Sequence, residues 1–289
     1  MKAARSYRVR VGEGGVEIRV LDWGGDGPIA LLHHANGFCA ATWSVVAGLL
    51  RSRWRVLAVD ARGHGASSRP EGAAAYHWRE IIGDWLAVTR SVLRESGRGQ
   101  LDLVVGNSLG GAVALAAAAE RPEWYRRLVL LDPVVVPARA SQGGTSDALP
   151  PLPLADQARR RKQVWPSREA AGEAWCDKPM FAGWDPRAFD SYLAHGLLDR
   201  EDGQVELACR GAVEAAIFQH TGCVDVAASA DFVDVPTWVV RAARGYFPGS
   251  MFEELCGRLA KGRYLELDGG HLLPMEAPER VAGFLLGLE

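Results

Sequence analysis

Residues 106–110 read Gly-Asn-Ser-Leu-Gly, and no other stretch limits the fold of this chain so tightly. Leu101-Asp102-Leu103-Val104-Val105 before it is a short apolar, β-branched run of the kind a buried parallel strand carries. After it, the run through Ala112-Val113-Ala114-Leu115-Ala116 to Glu120 is rich in the best helix formers, and Pro122 ends it. A serine between such a strand and such a helix sits on a very tight turn, and Gly106, Gly110 and Gly111 let the backbone close there without Cβ clashes. The turn lifts the Ser108 hydroxyl above the sheet edge, with the helix amides and positive dipole end behind it. The pentapeptide alone recurs by chance. The strand before and the helix after make Ser108 a candidate nucleophile rather than a structural turn serine.

The same alternation runs along most of the chain. Tyr7–Val11 and Val16–Trp23 read as an edge hairpin around Gly12-Glu13-Gly14-Gly15. Strands are expected at Ile29–His33, Arg55–Asp60, Leu128–Asp132, Thr237–Arg241 and Arg263–Leu267, with helices near Thr42–Leu50, Tyr76–Arg94, Ser250–Leu259 and Pro278–Leu288. After Pro133 the alternation stops. Ser141–Pro153 reads as a loop, and helical stretches near Leu154–Trp165, Ser167–Cys176, Pro186–Leu197 and Val205–His220 follow with no convincing strand between them. The chain therefore divides into a core of residues 1–133 and 236–289 and an inserted helical cap, residues 134–235. Its class is α/β, a mostly parallel sheet with helices on both faces, binding ligands beyond the carboxyl ends of the strands.

Composition narrows the function by exclusion. With 48% hydrophobic residues the 289-residue chain can bury a large core, and a net charge of -2 gives no electrostatic case for nucleic acid or an anionic membrane surface. Five scattered cysteines without metal-ligand spacing read as free thiols in a reducing compartment. Neither a signal peptide nor a membrane-length apolar run is visible, so a cytoplasmic location is expected. No metal site and no dinucleotide fingerprint are visible, so no cofactor is expected. The partner expected is a small-molecule substrate, with a homodimer left open.

A serine hydroxyl needs a base to take its proton, and the base needs a third group to orient it. Among the seven histidines, His271 follows a strand in Asp268-Gly269-Gly270-His271, on the same rim as Ser108. His34 and His64 also stand at strand ends, in glycine-containing loops whose shape can depend on the imidazole. Asp60 is expected to brace Arg62 and its glycine loop.

Four motifs, His33-His34-Ala35-Asn36-Gly37-Phe38, Asp60-Ala61-Arg62-Gly63-His64-Gly65-Ala66-Ser67, Gly106-Asn107-Ser108-Leu109-Gly110-Gly111 and Gly270-His271, make the chain resemble the α/β-hydrolase superfamily from the first hairpin to the final helix. The resemblance implies an eight-stranded sheet, with Ser108 as nucleophile and His271 as general base. It also implies an oxyanion hole from the backbone amides of Leu109 and Asn36, against the alternative that Asn36 merely sets a turn. Many relatives carry the acid after the penultimate strand. Here that loop, Arg241–Pro248, holds no carboxylate, and certain haloalkane dehalogenases of this superfamily use the strand end occupied by Asp132. Asp132 is thus the expected acid, against the alternative that Asp-Pro merely opens a turn. His34 and Phe38 of the oxyanion loop, with Trp165 and Trp184 of the cap, are the expected substrate contacts. A serine nucleophile makes ester hydrolysis the default. Carbon–carbon bond hydrolysis, a lyase reaction, or a small-molecule receptor with residual hydrolysis remain alternatives.

Overall fold

The computed structural model describes residues 5–12, 14–136 and 153–288. Most of the Ser141–Pro153 stretch read as a loop lies outside the described residues. The first half of the core runs β1 (Arg5–Val11), β2 (Val16–Gly24), β3 (Ile29–His33), α1 (Ser44–Leu50), β4 (Arg55–Val59), α2 (Trp78–Ser96), β5 (Leu103–Asn107), α3 (Leu109–Glu120) and β6 (Leu128–Leu131). The middle segment holds α4 (Pro153–Arg159), β7 (Val164–Trp165), α5 (Arg168–Trp175), α6 (Pro186–His195), β8 (Leu197–Asp199), β9 (Val205–Leu207), α7 (Gly211–Gln219) and α8 (Val226–Ser229). The chain then returns to the sheet with β10 (Thr237–Arg244), α9 (Gly249–Arg258), β11 (Gly262–Gly270), α10 (Leu273–Glu276) and α11 (Pro278–Leu286).

Eight strands form one sheet in the order β1-β2-β4-β3-β5-β6-β10-β11. Only the pairings of β2, with β1 and with β4, are antiparallel; β4 through β11 are parallel. The central strands are buried on both faces, which is why they read as unbroken apolar runs. Adjacent residues serve opposite layers: Val104 packs with α2 and α3, Val105 with α1 and α11. Helix α2 shows how local chemistry sets an element. The His77 side chain caps it by accepting from the Arg79 amide, Gly97 ends it at φ 66°, and Trp78, Ile81, Ile82, Trp85, Val88 and Val92 give it one buried face.

The middle segment departs from the sequence expectation. β7, β8 and β9 form a small antiparallel sheet, so the helices expected over Leu154–Trp165 and from Val205 are shorter and flank strands. Runs of two or three residues carry no periodicity by which a strand could be recognised. Among the described residues, no helix is long and apolar enough to cross a membrane.

Candidate functional site

Parallel pairing places the carboxyl ends of β3, β5, β6 and β11 along one rim, and the candidate residues sit there. Asn107 ends β5, and Ser108 follows at φ 56°, ψ -117° before α3 begins at Leu109. The turn closes because its glycines are bare: a Cβ on Gly106 would lie 2.2 Å from the Gly110 carbonyl oxygen, and one on Gly110 2.4 Å from that of His33. The Ser108 side chain makes no capping bond to α3. Its Oγ instead lies 2.8 Å from His271 Nε2.

His271 Nδ1 lies 2.5 Å from Asp132 Oδ2. A carboxylate only accepts, so Nδ1 carries the proton, and Nε2 of the neutral ring is left to accept from the serine hydroxyl. Asp132 is fully buried, and its Oδ1 accepts from the Ala242 amide at 2.9 Å. A Cβ on Gly245 would stand 2.7 Å from the Asp132 carboxylate, so the loop after β10 that holds no carboxylate closes over the one that follows β6. Among the described residues, Ser108 and Asp132 are the only non-glycines with positive φ, 56° and 43°. Among the described residues, positive φ outside glycine thus falls on the two residues whose side chains hydrogen-bond to His271. Glu276 accepts from the amides of Gly270 and Leu272, flanking His271, at 2.7 and 3.1 Å. The rings of Tyr246 and Phe247 lie 5.2 and 6.0 Å from the imidazole.

The loop after β3 is held from two sides. Gly37 donates its amide to His64 Nε2 at 3.0 Å, while the Asn36 side chain donates to the Glu214 carbonyl in α7 at 3.1 Å. The Asn36 side chain is therefore spent on the protein. Its backbone amide has no partner among the described residues, and the Leu109 amide opens α3, where no intrahelical carbonyl is available to it. Arg161 pairs with Glu214, and Tyr192 reaches the Gly37 carbonyl at 3.4 Å.

Several expected roles change. His34 is not free to touch a substrate: it is buried, Nδ1 donates to the Ala35 carbonyl at 2.7 Å, and Nε2 accepts from the Ala61 amide at 3.0 Å. Trp165 lies in β7, packed edge-on to Trp175 with the Lys162 ammonium over its ring. Phe38 and Trp184 lie with ring centroids 5.3 Å apart, joined by Tyr192 and Phe181 in one aromatic cluster above the loop. Asp60 braces its glycine loop, where Ala66 and Ser67 donate to it, but not Arg62. It binds Arg19 and the amides of Ala40 and Ala66, whereas Arg62 makes a two-pronged pair with Asp84.

His33, His34 and His64 lie side by side beneath the loop after β3, their rings tilted to one another with centroids 5.3 and 4.9 Å apart. Burial pushes His33 and His34 down to about 3 and His64 to about 4, from an ordinary 6.5. The unfolded chain therefore binds more protons between about pH 4 and 6.5. The stability these neutral rings contribute is complete above pH 6.5 and is lost as pH falls toward their folded values. Urea unfolding is expected to show a loss from pH 7 to pH 5 of up to about 2 kcal/mol per histidine. His64→Gln should reduce that dependence by about a third, leaving the His33 and His34 contributions; an unchanged slope would mean the His64 ring is hydrated.

Comparison with known proteins agrees with this architecture. A profile of the Alpha/beta hydrolase family matches residues 30–284. Lipase LipV of Mycobacterium tuberculosis is 31% identical over 239 residues, 80% of this chain and 81% of that protein. The 2-hydroxy-6-oxo-2,4-heptadienoate hydrolase of Pseudomonas putida is 36% identical over 132 residues, 45% of this chain and 46% of its own length, so the chain spans less than half of that relative. The crystal structure of E-2-(acetamidomethylene)succinate hydrolase superposes with a TM-score of 0.77 at 21% identity, covering 97% of both chains, a likeness of fold. With the profile spanning most of the sequence and LipV matched over four-fifths of it, this chain belongs to the alpha/beta hydrolase family.

Proposed function

We propose that the protein is a serine hydrolase that cleaves carboxylic esters of small to medium, largely apolar acids through an acyl-enzyme. One observation carries this reading: the continuous line of hydrogen bonds from Ser108 Oγ through His271 to the buried Asp132. Ser108 attacks the ester carbonyl carbon while His271 Nε2 takes its proton. Asp132 holds the imidazole tautomer and stabilises the imidazolium that forms. The amides of Leu109 and Asn36 receive the oxyanion, aided by the positive end of α3. His271 returns the proton to the departing alcohol, then activates water to release the acid. In this reading residues 134–235 form a cap whose Phe38-facing aromatics, Trp184 among them, bound an apolar acyl pocket. Arg161, which reaches the oxyanion loop through Tyr192, already has Glu214 as its counter-ion, which favours an uncharged substrate.

The likeness to the Pseudomonas putida hydrolase favours a second reading, carbon–carbon bond cleavage with the same three side chains. A partitioning experiment tests the acyl-enzyme of the first reading, and turnover of a diketone whose hydrolysis breaks a carbon–carbon bond tests the second. Esters that share one acyl group and differ in leaving alcohol are turned over in aqueous methanol. A common acyl-enzyme gives the same ratio of methyl ester to free acid for each. A ratio that varies with the leaving group, or binding without repeated turnover, would reject the proposal.

A further inference from the structure

We infer that Asn107 is a positioning residue that fixes the spacing of the three catalytic segments through its side-chain amide; this rests on the serine hydrolase reading above. Asn107 ends β5 and is paired with Leu131 across to β6. Its successor in the chain is Ser108, and the successor of Leu131 is Asp132. From that point Asn107 Nδ2 donates to the Leu131 carbonyl at 3.0 Å and to the His271 carbonyl at 2.9 Å. One planar amide thus touches the backbone of the acid strand and the base loop from the residue that precedes the nucleophile. Glu276 holds the amides on either side of His271, and Asn107 holds the carbonyl of His271 itself.

The orientation of the amide is fixed by chemistry. Turned over, it would set its oxygen against two carbonyl oxygens, so both hydrogens must face them. The remaining oxygen, Oδ1, is then buried with no partner among the described residues. A buried acceptor left without a donor is costly, and an apolar side chain at this strand end would avoid it. What the asparagine contributes in return is two donors aimed at the end of β6 and at the His271 loop, whose separation decides whether His271 spans from Asp132 to Ser108. Serine is too short to reach both carbonyls, and aspartate has nothing to donate.

Asn107→Ala removes both bonds, and Asn107→His keeps a ring N–H for one of them. Both variants are assayed on a short p-nitrophenyl ester beside the wild type and Ser108→Ala. Titration with a serine-reactive phosphonate counts competent sites, so a folding defect shows as fewer sites and a positioning defect as a slower rate per site. Asn107→Ala is expected to lose about a hundred-fold in kcat per site with KM within about threefold, the scale of a misplacement near 1 Å. Asn107→His should recover at least about tenfold of that loss. A kcat per site for Asn107→Ala within about twofold of wild type, or no recovery by histidine, overturns the inference. Should Ser108→Ala itself turn over like wild type, the hydrolase reading falls and takes this inference with it.

Discussion

Ser108→Ala is expected to lower kcat on short aryl esters by about a million-fold, the scale on which removing a serine nucleophile silences a complete triad. The substitution leaves the His271–Asp132 bond and the two open amides in place, so substrate affinity should change little. What remains is water attacking a bound ester beside an oriented imidazole. Ser108 lies at φ 56°, ψ -117°, a conformation alanine tolerates no better than serine. Ser108→Gly is therefore expected to be equally inactive but to unfold at a higher temperature, because glycine adopts positive φ without the strain. Substantial turnover in Ser108→Ala, checked by steady-state kinetics, would transfer the nucleophile to another group. Equal melting temperatures for the two variants would show that the turn stores no strain.

Asp132→Asn should cost about ten-thousand-fold in kcat with the fold intact. The carboxamide has the shape of the carboxylate and can still accept from the Ala242 amide. Toward His271 it offers either an NH2 group or a weaker acceptor. If the NH2 faces Nδ1, the imidazole must carry its proton on Nε2, the nitrogen that has to accept from Ser108. Asp225→Asn and Asp231→Asn serve as comparisons because both carboxylates have other duties: Asp225 caps α8 and Asp231 pairs with Arg258. Each should stay near wild-type activity. Near-normal kinetics in Asp132→Asn, with collapse in either of the others, would move the acid elsewhere.

Much of this site is legible in the sequence because its parts are local. An apolar run, a glycine-lined serine and an alanine-rich helix are contiguous, so the turn at Ser108 follows from residues 101–120 alone. Asp132 and His271 stand directly after strands, and parallel pairing brings strand ends to one rim. What escapes is decided by partners distant in the chain. The Asn107 side chain serves carbonyls 24 and 164 residues away, and nothing in Gly-Asn-Ser announces that. His34 looks like a substrate contact until the Ala61 amide occupies its second nitrogen. Asp60 has an arginine two positions on, yet binds Arg19 on a neighbouring strand, because adjacency in sequence fixes neither side-chain direction nor depth. The small sheet of β7, β8 and β9 is too short to leave a periodic trace.

The most direct measurement is reaction with a serine-directed aryl phosphonate, followed by peptide mass spectrometry and the rate of adduct formation in wild type, Asp132→Asn and His271→Ala. The expected result is one adduct per chain, on the peptide containing Ser108, formed far more slowly in both variants. An adduct on a different residue, or labelling of Ser108 at the same rate when His271 is absent, would contradict a serine activated by that histidine.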